Sequence, residues 1–142
     1  MRFWDASAIV PTLVDEQGST RMRELADDGT VLAVWWATRV ECVSAIARRV
    51  RLAPADSHHA EQALETLRVA VATWLEIPPT ERLRDDAGRL VRVHDLRAAD
   101  AFQLAAARAA SDDHPETLPF VTLDDRLALA VSREGFPVLD LT

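Results

Sequence analysis

Four acidic residues adjoin apolar stretches in a pattern suited to phosphate chemistry. Asp5 stands in Phe3-Trp4-Asp5-Ala6-Ser7, Glu41 in Thr38-Arg39-Val40-Glu41, Asp100 in Ala99-Asp100-Ala101-Phe102-Gln103, and Asp124 in Val121-Thr122-Leu123-Asp124-Asp125. Taken singly, each has a structural explanation. Thr38-x-x-Glu41 is a capping-box pattern, in which the glutamate bonds back to the cap residue's N–H. Asp5, Ser7 and Asp124 suit helix caps, and Asp100 complements a helix dipole. Brought together, the four read differently. Unit charges about 4 Å apart repel by roughly 4 kcal/mol at an effective dielectric of about 20, so a cluster needs a cation or protons. Oxygen-only donors favour a hard ion, Mg²⁺ with Mn²⁺ as the alternative. Such an ion lowers the pKa of a water and stabilises charge on a phosphate under attack.

The elements that would bring them together are short strands alternating with helices. Strands are expected at Arg2–Trp4 and at residues 31–35, 74–77, 120–123 and 138–141. Helical patterns fill residues 57–71, 80–93 and 97–111. An earlier helix carries Val40, Val43, Ala47 and Val50 on one face. In the 57–71 segment Ala60, Ala63, Leu64, Leu67, Ala70 and Val71 form a 3.6-residue stripe, and Gly135 and Pro137 close the last helix. This alternation predicts a three-layer α/β/α domain with a mainly parallel, roughly five-stranded sheet. Ligands of such sheets bind beyond the carboxyl ends of the strands, at a switch in strand order. All four acids are expected on that edge.

Composition sets the outer limits. The chain has 142 residues, 49% of them hydrophobic, enough for one globular domain spanning residues 1–142. No apolar run reaches the roughly twenty residues of a membrane span, and no signal peptide is evident. Cys42 is the only cysteine, which excludes an internal disulfide and fits a reducing, cytoplasmic setting. A net charge of −7 argues against a broad basic face for nucleic acid, but not against a nuclease whose acids a metal neutralises.

Other residues carry less. His58, His59, His94 and His114 form no zinc pattern. Cys42 lacks an evident base and reads as packing. No glycine motif for phosphates exists, and no Gly-x-Ser-x-Gly elbow surrounds Ser7. Trp35 and Trp36 fit core or dimer packing better than base stacking. Arg48, Arg49 and Arg51 end a helix, where its dipole favours cations. Arg39 and Arg97 flank the proposed acids and are candidates to grip a phosphate. Val10, Leu13, Val14, Val43 and Ile46 offer more apolar surface than one core face requires, and are expected to be covered by a second copy or a partner segment.

The order Asp5-x-Ser7, Thr38-x-x-Glu41, Asp100-Ala-Phe-Gln-Leu-Ala and Val121-Thr-Leu-Asp124 resembles the PIN domain, specifically bacterial VapC toxins. The resemblance covers nearly the whole chain. It implies a Mg²⁺-dependent endoribonuclease that is a homodimer with a cognate VapB-type antitoxin. Asp5, Glu41, Asp100 and Asp124 match the family's metal-binding acids, and Ser7 and Thr122 match hydroxyls that orient them. Asp125 and Asp95 remain alternatives for part of the ligation. A PIN nuclease outside any toxin system, and a silent PIN-like binding module, are the other readings.

Overall fold

A computed structural model describes residues 1–141, so Thr142, the end of the expected domain, lies outside the described residues. The chain runs β1 (Arg2–Trp4), α1 (Ala6–Leu13), α2 (Ser19–Ala26), β2 (Leu32–Trp35), α3 (Thr38–Leu52) and α4 (Ser57–Ala70). It continues through β3 (Leu75–Ile77), α5 (Glu81–Val93), α6 (Ala98–Ala110), β4 (Phe120–Val121) and α7 (Asp125–Arg133). The strands form a wholly parallel sheet in the order β3-β2-β1-β4.

Strand alternation sorts side chains between two layers. Phe3, Ala33 and Phe120 point to the side packed by α5, α6 and α7, with Leu90, Leu104 and Leu127. Trp4, Val34 and Val121 point to the other side, with Ile9, Ile46 and Leu67 of α1, α3 and α4. Both faces of the sheet are therefore covered, as a parallel sheet requires. The three-layer α/β/α expectation holds.

Local sequence explains the boundaries. Thr80 caps α5 by accepting from Leu83 N at 3.1 Å. Gly135, at φ +94°, supplies the left-handed turn that ends α7 and reverses the chain toward Val138. Behind the sheet edge, Glu134 accepts from Arg108 at 2.9 Å and from Arg89 at 3.0 Å, and lies 2.7 Å from His94 Nε2. This network joins the end of α7 to α5 and α6.

Three expectations need correction. The fifth strand, residues 138–141, is reduced to a single parallel bridge between Val138 and Phe120. Two backbone bonds join it to β4, Phe120 N to Pro137 O and Leu139 N to Phe120 O. Proline contributes no donor of its own at Pro137, which limits the ladder. Leu13 and Ile46 are not spare surface: they are 7% and 1% exposed, enclosed where α1, α3 and α4 meet. Val10 and Val14 are half-buried against the same core, whereas Val43 is exposed. Finally, the Thr38-x-x-Glu41 capping box does not form, because both side chains turn to Gln103 instead.

Candidate active site

The chain steps outward from β1 through β2 to β3, then returns to place β4 on the opposite side of β1. The strand order therefore switches between β1 and β4. Asp5 leaves the end of β1 and Asp124 follows β4, so both acids stand at this switch point. A hydroxyl bridge closes it. Ser7 Oγ donates to Asp5 Oδ1 at 2.8 Å, lies 3.3 Å from Thr122 Oγ1, and accepts from Leu123 N at 2.9 Å. Thr122 Oγ1 in turn accepts from Asp124 N at 3.1 Å.

Asp5 and Asp124 do cap helices, as their single readings suggest. Asp5 accepts from Ser7 N at 3.3 Å, and Asp124 from Leu127 N at 2.9 Å. Asp5 is nevertheless 4% exposed, unusual for a simple surface cap. Burial first, and the charge of Asp100 in addition, push its carboxyl up to about 6 against hydrogen bonds from Ser7 and Thr122.

Glu41, in the first turn of α3, is half-buried and does not cap. Burial pushes it up to about 7. Gln103 opposes the rise, and the charges of Asp5 and Asp100 add to it. Gln103 is 1% exposed, and its Nε2 donates to Glu41 Oε1 at 2.9 Å and to Thr38 Oγ1 at 3.1 Å. Asp100, in the first turn of α6, is half-buried. Burial raises its pKa, then Asp124; Arg97 and Arg126 pull it back.

Asp5, Glu41, Asp100 and Asp124 thus share one sheet edge, linked by mutual repulsion running from Glu41 through Asp5 and Asp100 to Asp124. They are not drawn into a closed ligand set. Among the described residues no group of three or more His, Cys, Asp or Glu side chains is gathered closely enough to hold a metal ion. Two clefts, of about 340 and 830 Å³, are lined by none of the four.

The flanking residues divide. Arg39 pairs with Glu76 at 3.1 Å while remaining half-exposed. Arg97 is exposed at the start of α6, where its charge acts on Asp100. Asp125 is exposed, and Asp95 lies 3.8 Å from Arg126 at the rim. Sequence reasoning passed over Gln103 and Arg126 as site residues. Gln103 had a signal: it is the polar residue in an otherwise apolar run, three positions after Asp100 on the same helix face. Arg126 had none.

A parallel α/β domain with a row of carboxylates at its switch point belongs to a class that binds ligands at the carboxyl edge. The PIN domain family model matches residues 2–131, and the chain belongs to that family. PIN domains are in general nucleases. Among solved structures, the chain is similar to PAE2754 from Pyrobaculum aerophilum, with 20% identity, TM-score 0.61, and 96% of this chain and 89% of that one covered. It is also similar to FitAcB from Neisseria gonorrhoeae, with 16% identity, TM-score 0.57, and 99% and 98% covered. At these identities the likeness concerns the fold. Among curated proteins none matches. No helix among the described residues is long and apolar enough to cross a membrane.

Proposed function

We propose that residues 1–142 act as one PIN domain that hydrolyses RNA phosphodiesters as a Mg²⁺-dependent endoribonuclease, Mn²⁺ serving as an alternative ion. The observation that carries this reading is Asp5, a buried acid at the strand-order switch whose charge is made costly by burial and by Asp100. An acid in that position is a ready partner for a cation. Asp5, Glu41, Asp100 and Asp124 would hold it, and their all-oxygen chemistry suits Mg²⁺. When bound, such an ion neutralises charge on the phosphate and lowers the pKa of a water.

The chain's own residues prepare this chemistry. Ser7 and Thr122 orient Asp5, and Gln103 fixes Glu41. Arg97 and Arg126, whose charges act on Asp100, would receive phosphate oxygens beside it. Hydrolysis joins a water oxygen to phosphorus, breaks the bond to the leaving ribose oxygen, and returns a proton to that oxygen.

The toxin reading rests on the four motifs that resemble VapC proteins. It adds a homodimer, a cytoplasmic setting and a VapB-type antitoxin. A groove of about 830 Å³ between α1, α3 and α4, lined by the half-buried Val14 and by Asp15, Arg49, Glu61 and Glu65 above the enclosed Leu13 and Ile46, would seat a partner segment. A Lys or Arg of such a partner that extended beyond this groove to the sheet edge would compete with the cation for the acids. The test is to purify the chain with the product of the neighbouring gene and assay RNA cleavage with and without Mg²⁺. Cleavage only with Mg²⁺, suppressed by a small copurifying partner, supports the full reading. Cleavage without such a partner leaves a PIN nuclease outside a toxin system.

One observation favours a second reading, a PIN-like module that binds without cutting: the acids are not closed into a ready ligand set. Titration with Mn²⁺ separates the two, since a binding module need not take the ion at these residues.

A further inference from the structure

Trp36 is the first residue beyond β2 and is 56% exposed. The register Phe3↔Ala33 places Asp5 level with Trp35, so Trp36 stands one step further out on the same carboxyl edge. Trp36 N donates to Ile77 O at 3.1 Å, fixing the backbone against β3. Its indole meets Trp35 edge-on, with centroids 6.3 Å apart at 66°. Trp35 stacks flat on Phe102, with centroids 5.4 Å apart at 1°. Phe102 lies on α6 between Asp100 and Gln103. Three rings therefore run from the helix that carries the site out to solvent, and the last one presents an open π surface.

An exposed indole beside the acidic edge offers a flat apolar face to a ligand that carries a π system. The charge balance indicates which. With a net charge of −7 and Arg39 already paired to Glu76, this side of the site has little cationic grip to offer a phosphate backbone. Base stacking on an aromatic face supplies affinity independent of charge, and every base has a π face to offer.

We infer that Trp36 is a stacking platform for an unpaired nucleobase of single-stranded RNA entering the acidic edge from the β3 side. The inference deepens the nuclease reading and rests on its choice of RNA as the ligand. Because stacking is read as binding, it is measurable whether or not the chain cuts.

The test is an intrinsic-fluorescence titration of the full chain with single-stranded oligoadenylate, comparing the unsubstituted protein, Trp36→Phe and Trp36→Ala. Light scattering on each follows the assembly state. Oligoadenylate should quench the unsubstituted protein. In Trp36→Phe most of the quenching should vanish while affinity, followed by anisotropy of a labelled oligonucleotide, is largely kept. Trp36→Ala should bind about tenfold more weakly, on the scale of one lost base–aromatic stack. Duplex RNA should give no quenching, its bases being already stacked. Equal affinity in Trp36→Ala would overturn the inference, as would loss of a dimer in that variant, which would make the ring a contact between copies. Failure of the nuclease reading would look different: no Mg²⁺-dependent cleavage by the unsubstituted protein, whatever the binding data show.

Discussion

Gln103 Nε2 lies 2.9 Å from Glu41 Oε1 and ties the first turn of α3 to the interior of α6, across a sequence separation of 62 residues. The same amide donates to Thr38. One buried side chain therefore sets both the position and the proton affinity of an acid at the sheet edge. Hydrogen bonds to the charged form of a carboxyl favour that form.

Gln103→Leu keeps the approximate size of the side chain and removes the donor. Glu41, already pushed up to about 7 with Gln103 opposing the rise, should titrate higher still in this variant. Thr38 loses a buried partner as well, so stability should fall by about 1–3 kcal/mol. Carboxyl-carbon NMR titration of Glu41 and chemical denaturation check the two effects separately.

The metal-free protein should lose stability as pH rises from about 4 to about 7. Asp5 and Glu41 both have folded pKa values, about 6 and about 7, above those of the free side chains. The folded state therefore holds more protons than the unfolded state across that interval. Their contribution is fully present below the unfolded values and is lost as pH passes through the folded ones. Each group can contribute a slope of up to about 1.4 kcal/mol per pH unit. Denaturation midpoints in the presence of a chelator, from pH 4 to 8, should fall with pH. Asp5→Asn should remove its share of the slope, and millimolar Mg²⁺ should oppose the decline.

Cys42 should be inert in the folded protein. It is fully buried, and burial, followed by the charges of Glu41 and Asp5, pushes its thiol up to about 12. A thiolate is the reactive form, so it is essentially absent at neutral pH. Ellman's reagent should give no signal until denaturant is added, then one thiol per chain.

Much of this architecture is legible in the sequence because its signals are local. The stripe from Ala60 to Val71 marks α4, the Thr80 cap marks the start of α5, and the alanine-rich run after Arg97 marks α6. Helix α2 was not anticipated. It has eight residues, a negative mean hydropathy, and a start set by Gly18 at φ +87° rather than by a capping side chain. The acids were legible as residues standing at strand ends. Ser7 and Thr122 beside Asp5 were legible with them, but the partner of Glu41 was not, because Gln103 reaches Thr38 and Glu41 only through tertiary packing of α6 on β2 and α3. A local capping rule therefore misread Glu41, while the same rule read Asp5 and Asp124 correctly. The final strand failed for a similar reason: Val138 to Leu141 have the hydrophobicity of a strand, but their pairing with β4 stops after one bridge.

Asp5 holds the central claim, because it is the most deeply buried of the four acids and sits where the strand order reverses. Asp5→Asn conserves its size and its ability to accept from Ser7, and removes only the charge that a cation would meet. The most direct measurement is single-turnover cleavage of a single-stranded RNA across a Mg²⁺ series, run on the unsubstituted protein and on Asp5→Asn after both have been shown to be folded. The account predicts Mg²⁺-dependent cleavage by the first and a rate at least about a hundredfold lower in the second, a loss of roughly 2.7 kcal/mol of transition-state stabilisation. Without metal, Asp5→Asn should be at least as stable as the parent at pH 8. Full cleavage by a well-folded Asp5→Asn protein would contradict the account and place the chemistry away from the switch point.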